Sequence, residues 1–230
     1  ALNGWNSAEV RNNSKLTVNG NTQFGGRFIN NANAKLVGTA DIDGTLQNSQ
    51  GARLIANTVN VNGTLRNFGY MEALDNSTVF GTLENPGEIR LFNTHIGSRG
   101  SGDIGTIGNT YTLKATGKTQ VSGLLANAPG AIAEFSGNDS ELVILSGGSV
   151  SNNGTLIADS LVVNEGGYFI NGDNAQKTFT ASPLRLRAVT RAVAKATEQL
   201  KNLTVSEGGT KTNNGLAYYG TGSIAGEFIN

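Results

Sequence analysis

The sequence predicts an all-β fold, a right-handed parallel β-helix of about 18–20 residues per coil, with one amphipathic α-helix inserted near the C-terminus. Three observations predict it. One phrase recurs as Gly26-Arg27-Phe28-Ile29-Asn30, Gly44-Thr45-Leu46-Gln47-Asn48, Gly63-Thr64-Leu65-Arg66-Asn67 and Gly81-Thr82-Leu83-Glu84-Asn85, with nearly constant spacing from glycine to glycine. Glycine supplies 32 of the 230 residues, and asparagine nearly as many, well above ordinary usage. Both residue types tolerate φ > 0, so the chain is rich in sharp turns. Apolar residues inside the repeats alternate rather than follow a helical period.

A single domain over residues 1–230 accommodates these features in order. Residues 1–14 lack the phrase and hold the only tryptophan, Trp5, which suits an N-terminal edge or cap over the first coil. Residues 15–181 read as coils, with short alternating strands at Leu16–Val18, Lys35–Val37, Arg53–Ala56, Val59–Val61, Glu88–Leu91 and Leu142–Leu145. Asn-Gly, Gly-Gly and Asn-Asn pairs separate them. The stretch from Gly97 to Gly108 reads as a loop within a coil. The phrases at Gly123, Gly154 and Gly167 follow at less regular spacing, so that one coil carries the phrase on more than one side. Residues 182–203 read as the helix: Ser182 is an N-cap, Pro183 occupies the first helical position, and Leu186, Val189, Val193, Ala196, Leu200 and Leu203 form one apolar face. The other face carries Arg185, Arg187, Arg191, Lys195 and Lys201 against Glu198 alone. Residues 204–230 complete a final coil.

Alternation along a strand places Leu46, Leu65 and Leu83 in one interior column and Thr45, Thr64 and Thr82 in an outward column beside it. It also aligns Asn30, Asn48, Asn67 and Asn85 at one corner, where side-chain amides bond along the stack. A sandwich or barrel needs no phrase at constant coil length, and a hexapeptide solenoid needs apolar residues every sixth position, so both fit less well. Repeated Gly-Thr-Leu-x-Asn, the run Asn152-Asn153-Gly154-Thr155-Leu156 and Gly-x-Phe-Ile-Asn resemble the β-helical passenger regions of bacterial autotransporters and haemagglutinin-like adhesins over roughly residues 15–175. The resemblance implies a secreted, extracellular surface adhesin or fibre. The helix at 182–203 departs from that pattern.

Lys+Arg and Asp+Glu balance at 17 each, so no global field recruits nucleic acid. Cysteine is absent, which excludes disulfides, thiolate metal sites and cysteine nucleophiles. No run of apolar residues is long enough to cross a bilayer as a helix, so no transmembrane segment is expected. His95, the only histidine, lies in Asn93-Thr94-His95-Ile96-Gly97 without a nucleophile elbow and reads as an exposed loop residue. No calcium loop, nucleotide fingerprint or His-rich zinc motif occurs, and neither a cofactor nor a metal is expected. Asp41 and Asp43 flank Ile42, so both carboxylates face outward together, as a polysaccharide-cleaving β-helix would hold its acids. Any solvated strand face offers such a pair, so the leading expectation is a non-enzymatic protein.

The basic face of Arg185, Arg187, Arg191 and Lys195 suits either solvent or an acidic partner, an anionic polysaccharide among them. The last residues, Phe228-Ile229-Asn230, repeat Phe28-Ile29-Asn30, where the chain runs into another coil. A solenoid's terminal edge must be covered. The expected partner is a second copy, stacked end to end into a homopolymeric fibre through Trp5 at one end and Phe228 and Ile229 at the other.

Overall fold

The computed structural model describes residues 3–4, 8–99, 103–137, 139–172, 197–213 and 216–229. They form an all-β parallel solenoid of about ten turns built from two long sheets. One sheet has eleven short strands: Glu9–Asn12, Arg27–Asn30, Thr45–Asn48, Thr64–Asn67, Thr82–Asn85, Thr106–Asn109, Leu124–Asn127, Ser149–Asn152, Tyr168–Asn171, Thr210–Asn213 and Glu227–Ile229. Each pairs in parallel with the next. The other sheet has fourteen strands, among them the long Asn33–Ile42, Arg53–Val61, Tyr70–Val79, Glu88–Ile96, Thr155–Val163, Thr197–Val205 and Leu216–Ile224.

The long strands bend at their middle. Register shifts fall there, between Leu36 and Thr39 and between Ala73 and Ser77. Gly38 (φ 118°) and Asn93 (φ 40°) supply left-handed backbone at this bend. Both residue types accept that conformation at little cost. Across the bend the inward residues are three apart, or four in Asn33–Ile42 and Tyr70–Val79, instead of two. In Thr155–Val163 the buried positions are Leu156, Ala158, Leu161 and Val163.

The interior column is continuous. Phe28, Leu46, Leu65, Leu83, Ile107, Leu125, Val150 and Phe169 are all buried and stand in register. Thr45, Thr64 and Thr82 lie beside them, partly exposed, as alternation requires. Burying each such aliphatic or aromatic side chain contributes about 1.5–3 kcal/mol relative to exposure. A single coil could not enclose these groups, so neighbouring coils depend on one another for a core.

The corner asparagines form a ladder longer than the four phrases suggest. Nδ2 of each donates to Oδ1 of the next through Asn12, Asn30, Asn48, Asn67, Asn85, Asn109, Asn127, Asn152, Asn171 and Asn213, at 2.7–2.9 Å. The second N–H is used as well. Asn48, Asn67, Asn85 and Asn109 donate to the carbonyls of Tyr70, Glu88, Thr112 and Ile132, where the next coil enters the long-strand sheet. A buried amide with all its groups paired fixes both register and corner.

Two expectations are revised. Residues 197–203 of the expected helix belong to the strand Thr197–Val205, paired in register with Thr155–Val163 and Leu216–Ile224. The cause is the mid-strand bend: the inward residues Leu200 and Leu203 are three apart, a step that a flat strand never makes and a helix does. Residues 182–196, with Arg185, Arg187, Arg191 and Lys195, lie outside the described residues, as does Trp5. The irregular middle also resolves. Ser98–Arg99 and Asp103–Ile104 pair antiparallel as a side excursion, after which Gly105-Thr106-Ile107-Gly108-Asn109 resumes the phrase. Gly148-Ser149-Val150-Ser151-Asn152 carries the next irregular ladder step, while Gly154-Thr155-Leu156 lies on the long-strand sheet.

Candidate functional site

The interior changes character in the coil that contains residues 197–213. Along the long-strand sheet, Ala34, Leu54, Met71, Ile89, Leu113, Ala133 and Leu156 form a second apolar column, and the next position in register is Glu198. Along the short-strand sheet the column of Phe28 to Phe169 continues into Lys211. Both charged side chains therefore point inward because alternation sends them there. Each is 0% exposed.

They meet in the core. Lys211 Nζ lies 2.6 Å from Glu198 Oε1, an ion-pair contact without the alignment of a hydrogen bond. The Tyr219 hydroxyl, on Leu216–Ile224 and in register with Leu200, donates to the same oxygen. Glu198 Oε2 has no hydrogen-bond partner among the described residues. The Phe169 ring centroid is 4.3 Å from Nζ, and those of Tyr219 and Phe228 are each 5.6 Å away. Three π-systems thus surround the ammonium group. Tyr219 and Phe228 are packed edge to face at 6.0 Å.

Burial disfavours charge on Lys211 and pushes its pKa down, against the opposing pull of Glu198. Burial, and then the neighbouring Glu198 carboxylate, push the Tyr219 phenol far up, so it remains a proton donor at every working pH. The arrangement holds an amine, a carboxyl group and a hydroxyl donor within bonding reach in an enclosed, largely apolar site. It can exchange a proton internally, and it can hold its two strands in register.

Asp41 and Asp43 sit as expected on either side of the buried Ile42. Their carboxylates are engaged by amides: Asn60 Nδ2 donates to Asp41 Oδ1 at 2.8 Å, while Asn62 Nδ2 and Gln23 Nε2 donate to Asp43 at 2.7 and 2.8 Å. Asn60 Oδ1 accepts in turn from Thr78 Oγ1 at 2.8 Å, which makes an outward polar ladder parallel to the buried one. His95 lies near the end of a long strand with its ring edge-on to Phe80 at 5.9 Å, and it is half-buried rather than free in a loop. Among the described residues, no cluster of three or more His, Asp or Glu is placed to hold a metal ion. Phe228 packs against the core, while Ile229 is 44% exposed on the last described strand.

The sequence reading missed Glu198 and Lys211. The available signal was the phrase Gly209-Thr210-Lys211-Thr212-Asn213, which puts a lysine where every earlier copy has an apolar residue.

The fold defines the class: a parallel β-solenoid with an internal asparagine ladder. Comparison of the chain with protein-family models, with curated proteins and with solved structures gives no match. Among the described residues no helix is long and apolar enough to cross a membrane.

Proposed function

We propose that the chain is a non-enzymatic structural rod, an extracellular adhesive or scaffolding solenoid of the autotransporter-passenger or haemagglutinin-like kind, wound right-handed as β-crossovers prefer. One observation carries the reading. The same junction, an asparagine bond at the corner beside an in-register apolar column, repeats from coil to coil. Such a design invests the sequence in length and stiffness.

The rod extends by stacking end to end with a second copy. The terminal coils of any solenoid present strand edges that accept further parallel strands, and head-to-tail contacts between copies do not close. Sedimentation velocity over a dilution series, with negative-stain images of the same samples, tests it. Rods of constant width that lengthen with concentration are the expected result; a monomer at the highest concentration contradicts end-to-end stacking.

A second reading, binding of a surface polysaccharide, is favoured by one groove. Phe68 (43% exposed) and Tyr111 (60% exposed) flank Tyr70 there, and Arg53 stacks over the Tyr70 ring at 5.2 Å. Aromatic faces beside charged groups suit sugar rings. Were the rod to cleave such a polymer, release of reducing ends would disappear in Asp41→Asn or Asp43→Asn.

A further inference from the structure

Glu198 and Lys211 are the chemically least settled pair in the core. Both are fully buried, they touch, and one carboxylate oxygen has no donor among the described residues. A buried ion pair is favourable only when its remaining groups are satisfied. Condensation of the two groups removes the unsatisfied oxygen and both charges in one step. We propose that Lys211 Nζ and Glu198 Cδ become joined by an intramolecular amide bond, formed in the folded chain, which ties Thr197–Val205 to Thr210–Asn213 across the core.

The step needs no other reactant. Transfer of one proton from Nζ to the carboxylate gives a neutral amine and a neutral acid, the form that an apolar interior favours for an opposed pair. The low affinity of buried Lys211 for its proton works in the same direction. The Nζ lone pair then adds to Cδ, and negative charge develops on Oε1. Tyr219 already donates to that oxygen, as an oxyanion donor must. The Cδ–Oε2 bond breaks. Oε2 departs as water, carrying the proton it gained from Nζ and a second proton lost from Nζ on amide formation. One amide and one water result, with no change of oxidation state. Fixed contact between the two groups replaces a collision, and the full burial of both side chains keeps off the water that would reverse the reaction.

The test is the mass of the whole purified chain under denaturing conditions. The expected mass is lighter than that of the sequence by one water. Digestion should yield a branched peptide joining the segment with Glu198 to the segment with Lys211, and amine labelling of the denatured chain should leave Lys211 unmodified. Lys211→Met and Glu198→Leu should each restore the full mass. Because the decisive reading is made on the unaltered chain, poor folding of a variant does not obscure it. A full sequence mass with Lys211 labelled overturns the proposal and leaves a buried ion pair. So does a water deficit that maps to the Asp43-Gly44 bond, where succinimide formation gives the same loss.

Discussion

Asn67→Asp is expected to destabilise the solenoid by about 3–5 kcal/mol at neutral pH, although it changes a single heavy atom. Asn67 Nδ2 donates to Asn85 Oδ1 and to the Glu88 carbonyl, both at 2.8 Å, while Oδ1 accepts from Asn48 Nδ2 at 2.8 Å. A carboxylate keeps the accepting role and loses both donating ones. It sets an ionised oxygen against two acceptors in a site that is 0% exposed. The introduced carboxyl group therefore has a folded-state pKa raised above the ordinary value of about 3.9. For an acid, a raised folded pKa means that stability is lost as pH rises through it and recovered on acidification. The deficit in denaturation midpoint against the parent should thus narrow between pH 7 and pH 4. Asn31→Asp, at an exposed position, is the control. It should stay within about 0.5 kcal/mol of the parent, the usual range for surface substitutions. Equal midpoints for Asn67→Asp and Asn31→Asp would contradict a buried, fully used ladder.

Gly63→Ala should cost about 3 kcal/mol or more, the upper range for overpacking, because the obstacle is backbone that cannot yield. A Cβ at Gly63 would lie 2.2 Å from the Gly44 carbonyl oxygen and 2.3 Å from that of Asp43. The Gly44 carbonyl accepts from Thr64 N at 2.8 Å, so moving it breaks a bond between coils. The same stacking recurs one coil away: a Cβ at Gly81 would lie 2.1 Å from the Gly63 oxygen. These corner glycines are selected by how closely successive coils approach. Gly51 gives the contrast, with φ 77° and nothing within 4 Å of an added Cβ. Gly51→Ala therefore carries only the strain of left-handed backbone, about 1–2 kcal/mol. Thermal or chemical denaturation of the two variants should rank them in that order, and the reverse order would refute the close-approach argument.

What the sequence made legible was the part fixed by local rules. Leu46, Leu65 and Leu83 fall in one column, and Asn30, Asn48, Asn67 and Asn85 at one corner, because a strand alternates and a coil of constant length superposes its copies. Copies such as Gly105–Asn109 and Gly148–Asn152 escaped notice because the physics constrains little beyond the inward apolar side chain and the corner amide. In these copies Ile107 and Val150 stand in place of the leucine, and Ser149 in place of the threonine, beside the corner amides Asn109 and Asn152. Residues 197–203 of the strand Thr197–Val205 read as helix because the bend sets Leu200 and Leu203 three residues apart, and only pairing with Thr155–Val163 reveals the bend. The same error hid Glu198. With Glu198 assigned to a helix surface, nothing pointed to Lys211 as its partner, since the two are brought together by different sheets.

Surface charges explain little of the stability. Arg66 and Glu84 pair at 2.9 Å, and Lys114 and Glu134 at 3.1 Å, but in both pairs the side chains are substantially exposed. Pairs of that kind are worth about 0–1 kcal/mol. Coil-to-coil cohesion rests on the apolar columns and the amide ladder.

The most direct measurement of that claim is hydrogen exchange at the asparagine side chains, read residue by residue by NMR in the intact protein. The account predicts that the Nδ2 protons of Asn30, Asn48, Asn67, Asn85, Asn109 and Asn127 exchange slowly and together, through opening of the solenoid, while those of exposed Asn31 exchange at once. Rapid exchange along the ladder, matching that of Asn31, would contradict it.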